Sequence, residues 1–156
     1  MLFILLLNSA IALDCSSPKY SELCTLKRIS IFEKSSTDNL DKERTEECLA
    51  KGLAIISSSK KSDLSKKYLD KKIRLLKIRV DEKLNTGFSS EEERQSFLIE
   101  AETLDKKIEW YNNMLQKLNQ TVVYFDYNCS GKFMNDSPSE LTIDLKVEYI
   151  TKWIME

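Results

Sequence analysis

Apolar residues step along the second half of the chain at intervals of four and three. Phe97, Ala101, Leu104, Ile108, Tyr111, Leu115, Leu118, Val122, Phe125 and Cys129 form one such line. Side chains at these spacings share one face of an α-helix, whereas a strand would repeat every second residue. The pattern predicts a helix over about 90–129. Ser89 with Glu92, or Ser90 with Glu93, forms a capping box at its start, and Gly131 supplies a left-handed stop. The segment Thr121–Phe125, TVVYF, has strand composition, but the apolar line keeps its phase through it, which favours continued helix.

A matching line precedes it. Leu69, Ile73, Leu76 and Val80 repeat at four and three, and Leu75 and Ile78 widen the face. Upstream, Cys48, Leu49, Leu53, Ile55 and Ile56 follow an acidic start at Asp41–Glu47, where negative charge suits a helix N-terminus. These stretches predict a helix over about 41–84. Gly52 weakens it by roughly 1 kcal/mol, and Ser57–Ser59 is where it would bend or break.

The joint Asn85-Thr86-Gly87-Phe88-Ser89 is short, so the two helices should lie antiparallel. With a turn centred between residues 88 and 89, the numbers of facing residues total 177. Val80 then meets Phe97, Leu76 meets Ala101, Ile73 meets Leu104 and Leu69 meets Ile108. At the far end the same register sets Cys48 opposite Cys129, although cysteine positions played no part in fixing it.

Two shorter helices flank this hairpin. Pro18 opens one over about 18–34, with Tyr20, Cys24, Lys27 and Ile31 on one face. Ser137 as cap, Pro138 at the first helical position and Glu140 at the third open another over about 138–155. Ile143, Val147, Ile150 and Ile154 line one of its faces, and Leu141, Leu145, Tyr149 and Trp153 line the adjoining one. Residues 141–149 also alternate as a strand would, and the cap decides for helix. The expected fold is all-α: a long antiparallel helical hairpin with flanking shorter helices, a small disulfide-stapled helical bundle in one domain over 13–156.

Composition agrees. Gly and Pro together supply five of 156 residues, about a quarter of the usual share. So few chain breakers exclude a collagen, a Gly-rich loop enzyme and a turn-dense β-barrel.

The first twelve residues, MLFILLLNSAIA, read as a signal peptide cleaved after Ala12. An apolar run is followed by small residues two apart at Ala10 and Ala12; the run is too short to span a bilayer, and a basic n-region is missing. Export implies an oxidising compartment. Cys15, Cys24, Cys48 and Cys129 then predict two disulfides. The register selects Cys48–Cys129 and leaves Cys15–Cys24. Cys24–Cys48 with Cys15–Cys129, or Cys24–Cys129 with Cys15–Cys48, stays open should the hairpin bend. Glycosylation sequons at Asn119 and Asn128 fit export, whereas Pro138 disfavours the one at Asn135.

The chain has no histidine and no Gly-rich phosphate loop. Ser-His-acid and Cys-His nucleophile systems are therefore excluded, as is a His-containing zinc motif. The expectation is no enzyme, no cofactor and no metal. Net charge is −1, yet residues 60–83 carry ten basic against four acidic side chains, and residues 91–109 carry seven acidic against three basic. Opposed fields favour pairing of the two helices. The Lys66, Lys67, Lys71 and Arg74 face is the candidate contact surface, suited to an acidic protein, anionic lipid or a sulfated glycan; nucleic acid is not expected. The functional expectation is a secreted helical interaction protein: a cytokine-like ligand, effector or adhesion-type module. The alternative is a small carrier holding a lipid or other apolar ligand between its helices.

Overall fold

The computed structural model of the chain describes residues 16–25, 39–129, 133–134 and 138–156. Helix α1 spans Ser21–Thr25, α2 Lys42–Thr86, α3 Glu91–Asn128 and α4 Glu140–Met155. Strands β1 (Asn39–Leu40) and β2 (Phe133–Met134) form a two-residue parallel bridge between the chain ahead of α2 and the chain beyond α3. The fold is a small disulfide-stapled helical bundle. Helices α2 and α3 make the long antiparallel hairpin, and α1 and α4 flank one end of it. The expected signal peptide, residues 26–34 of the first helix, the Cys15–Cys24 pairing, the Gly131 stop and the Ser137 cap lie outside the described residues.

Helix α2 runs unbroken for 45 residues through both Gly52 and Ser57–Ser59, a length of about 67 Å. Small residues here serve close packing. Ser58 is fully buried, and a Cβ built on Gly52 would lie 2.5 Å from Leu23 Cδ1 and 3.1 Å from the Phe125 ring. The helical cost of Gly52 is thus the condition for α1 and α3 to approach α2. Gly52→Ala gains roughly 1 kcal/mol of helix propensity but overpacks a site whose typical penalty is about 1–3 kcal/mol. The expected outcome is net destabilisation of about 1 kcal/mol in urea unfolding, and more for Gly52→Val. A gain in stability from either would show that Leu23 moves freely.

The turn is built as the local chemistry predicts. Gly87 adopts φ 74° and ψ 178°, a region only glycine occupies without strain. Ser90 caps α3, its Oγ accepting from the Glu93 amide at 3.1 Å. The Glu93 carboxylate reaches back to the Ser89 amide and hydroxyl, both at 2.7 Å, and to Lys83 at 2.6 Å. Lys83 foremost, with those two donors, holds the Glu93 carboxyl at about 2. Ser90, rather than Ser89, is the cap, and Glu93 answers it on the Ser89 amide, one residue ahead of a standard capping box.

The register runs as expected from tip to base. Arg79 pairs with Glu100, Tyr68 meets Lys107, Gly52 faces Phe125, and Cys48 is bonded to Cys129 with Cα atoms 5.5 Å apart. The TVVYF segment stays helical because its buried positions, Thr121 and Phe125, continue the inner line. The Thr121 hydroxyl donates to the Lys117 carbonyl at 2.9 Å.

Helix α4 converts one end of the hairpin into a three-helix base. The Ser139 amide donates to the buried Glu46 carboxylate at 2.8 Å. At the other end, Trp110 Nε1 donates to the Met155 carbonyl at 2.9 Å. Helix α4 therefore runs alongside the start of α2, in the same direction, and against α3. Its observed cap is Ser139, with Pro138 outside the helix. The tie to Glu46 holds Ser139 in extended backbone and delays the helix by two residues, while a carboxylate sits where the helix dipole favours it. The core of the base contains Leu23, Leu40, Leu49, Met114, Phe125, Ile143 and Ile154.

Two parts of the expected seam are corrected. From residue 114 the buried line is Met114, Leu118, Thr121 and Phe125, with Leu115 and Val122 only half-buried, because α4 covers a neighbouring side of α3. On α2, Ile73, Leu75 and Ile78 are exposed rather than part of the seam. A two-helix contact buries one narrow strip, and among the described residues no third helix arrives beyond the base to bury the rest.

Candidate interaction surface

Beyond Ser62 the only buried hydrophobic positions of the hairpin before Met114 are Leu69 and Leu104. The outer half of α2 and the first half of α3 therefore project from the base as a two-helix arm. About twenty residues separate Lys67 from the end of α2, giving the arm a reach of about 30 Å. Cross-helix ion pairs hold it near the tip, at Arg79–Glu100 and Lys83–Glu93.

The four basic residues singled out from sequence, Lys66, Lys67, Lys71 and Arg74, are all exposed on this arm. Lys67, Lys71, Arg74 and Ile78 recur at four, three and four, so they share one face pointing away from α3. Leu64 and Leu75 border the same face, and Leu64, Leu75 and Ile78 are 67%, 45% and 57% exposed. Lys66 sits to one side. Among the described residues, ion pairs engage Lys60 with Glu22, and Arg79 and Lys83 with α3, but none engages these four. The acidic first half of α3 therefore does not neutralise this face, although the two segments are neighbours; its acids pair elsewhere, Glu91 with Arg94 and Glu102 with Lys106.

Where the arm meets the base, Leu64, Ser65, Tyr68, Leu69, Lys107 and Trp110 line a surface groove of about 460 Å³. Lys72 and Lys107 lie 5.9 and 5.2 Å from the centre of the Tyr68 ring, and Lys107 donates to its hydroxyl at 3.2 Å. The sequon residues Asn119 and Asn128 lie together in a second groove, on the outer side of α3, with Val123 and Tyr127. Asn119 is exposed, and the Asn128 amide group donates to the Tyr124 carbonyl at 2.8 Å.

A polar cluster at the base escaped the sequence reading. Tyr20 donates to Glu140 at 2.8 Å, and Lys19 pairs with both Glu140 and Asp144. Burial first, then the bond to Glu140, pushes the Tyr20 phenol up to about 12. Lys19 first, then Tyr20, pulls the Glu140 carboxyl down. These contacts join residues 120 positions apart, so no local spacing announces them. They clamp the turn ahead of α1 to the start of α4.

Among the described residues there is no group of three or more potential metal ligands, and no helix is long and apolar enough to cross a membrane. No family model matches the chain, and no curated protein or solved structure matches it either.

Proposed function

We propose that the protein works outside the cell as a helical interaction protein, a ligand, effector or adhesion-type module, and that the arm is what its partner grips. The observation that carries this reading is the face formed by Leu64, Lys67, Lys71, Arg74, Leu75 and Ile78, which is basic, partly apolar, exposed and, among the described residues, without an ion pair. Such a face suits an extracellular protein presenting an acidic surface bordered by apolar contacts. The disulfide fits an oxidising compartment. The core of the base supports contact over carriage of a lipid or other apolar ligand: among the described residues, Leu23, Leu49, Met114, Phe125, Ile143 and Ile154 pack together between the helices, while Leu64, Leu75 and Ile78 face outward.

Reversing Lys66, Lys67, Lys71 and Arg74 to Glu tests the reading. Wild-type protein should bind cell surfaces in a way that weakens with salt and disappears after the cells are treated with trypsin. The fourfold variant should bind at least about tenfold less, as expected when a steering charge patch changes sign. Wild-type binding that survives trypsin but is lost on heparinase treatment, or is reproduced by anionic vesicles, would replace the protein partner with a glycan or lipid. No binding at low salt would sink the reading.

A further inference from the structure

Helix α4 is apolar on two opposite sides, and the base covers only one of them. Ile143 and Ile154 are fully buried against α2 and α3, with Val147 and Ile150 half-buried between them. Leu141, Leu145, Tyr149 and Trp153, four residues apart each time, remain 71%, 60%, 73% and 42% exposed. An apolar face of a helix is normally buried against a partner. We propose that this ridge is a self-association surface, on which α4 of a second copy of the chain packs to form a two-fold dimer.

Three observations select a second copy as the occupant. The exposed parts of these four side chains come to about 500 Å² of largely apolar area, taking the usual sizes of leucine and aromatic side chains. With flanking residues added, this approaches the roughly 800 Å² per partner of a stable interface. The ridge also follows the four-residue row of the helix, and two such rows interlock in the commonest helix-packing class. Its flanks, finally, carry both signs. Asp144, Glu148 and then Lys152 follow one side in a four-residue row, Asp144 being paired with Lys19 of the same chain, and Lys146 borders the other side opposite Glu148. A strongly charged partner or an anionic lipid surface gains nothing from such a balance, whereas a copy of the same helix does. In a parallel dimer the Glu148 side of one copy meets the Lys146 side of the other, so Lys146 of each faces Glu148 of its mate. An antiparallel pair would set like against like. Lys117 steadies the end of the ridge, donating to the Trp153 carbonyl at 3.0 Å.

Sedimentation equilibrium across protein concentration tests this. The chain should pass from one-chain to two-chain mass as concentration rises. Leu145→Glu should raise the dimer dissociation constant at least tenfold while leaving helical circular dichroism unchanged, since Leu145 is exposed. Tyr149→Ser serves as a second, uncharged variant. Lys146→Glu should weaken the dimer, and adding Glu148→Lys should restore it. Overturning results are a wild-type chain that stays at one-chain mass at high micromolar concentration, or a dimer indifferent to Leu145→Glu and Tyr149→Ser. Failure of the exchanged pair to restore association would overturn the parallel arrangement. Binding to neutral or anionic vesicles that Leu145→Glu abolishes, without any two-chain mass, would assign the ridge to lipid and overturn the dimer. The fourfold arm variant should dimerise normally.

Discussion

Replacing Cys48 and Cys129 together by alanine is expected to destabilise the protein by about 4 kcal/mol and to lower its melting temperature by roughly 10 °C. The bond closes a separation of 81 residues, and releasing it restores that loop's freedom to the unfolded chain. Both cysteines are buried where α2 begins and α3 ends. The other end of the hairpin is already closed by the Gly87 turn, so the bond joins ends that are otherwise held by packing and by the short β1–β2 bridge. The loss should fall on the base. Hydrogen exchange there should quicken before exchange in the arm helices near Lys83–Glu93 changes. Thermal melts of parent and double variant under non-reducing conditions provide the measurement. A difference below about 2 °C would mean that packing and the backbone bridge hold the base without the bond.

Phe125→Ala is expected to cost about 4 kcal/mol, within the range for removing a buried aromatic ring. Phe125 is 1% exposed and its ring faces Gly52, which also touches Leu23 of α1. Deleting the ring opens a void where α1, α2 and α3 converge, and none of the three can close it without breaking other contacts. Phe125→Leu should cost about 1–2 kcal/mol less than the alanine change. In the Phe125→Leu background the penalty of Gly52→Ala should shrink in part, because the 3.1 Å contact with the ring is gone and Leu23, the nearer neighbour at 2.5 Å, can shift into the space it leaves. Urea unfolding of the four proteins in this cycle measures the coupling. Additive penalties would show that the two positions do not share one cavity.

The hairpin was legible because its determinants are local and periodic. Apolar steps of four and three predicted helices, a glycine in a short polar joint predicted reversal, and the two together set a register that carried Cys48 to Cys129. That inference needs only a regular rise per residue, which two unbroken helices supply. The capping of α3 was legible for the same reason, since Ser90 and Glu93 lie within one turn.

What failed or escaped the sequence depended on partners distant in the chain. Gly52 looked like a flaw in α2 until Leu23 and Phe125 were seen against it. Ser137 looked like the cap of α4 until Glu46, 93 positions away, fastened Ser139. Ile73, Leu75 and Ile78 belong by composition to a seam and by position to open surface. Periodicity states which residues share a face, but the number of helices reaching that face decides whether it is buried. In the base a third helix arrives, and apolar residues on more than one side of α2 and α3 become core. Along the arm none does among the described residues, and the same kind of residue stays exposed. The sequence by itself determined helices, turn, register and staple; only the packing of α1 and α4 against one end decided where the core stops and the exposed faces begin.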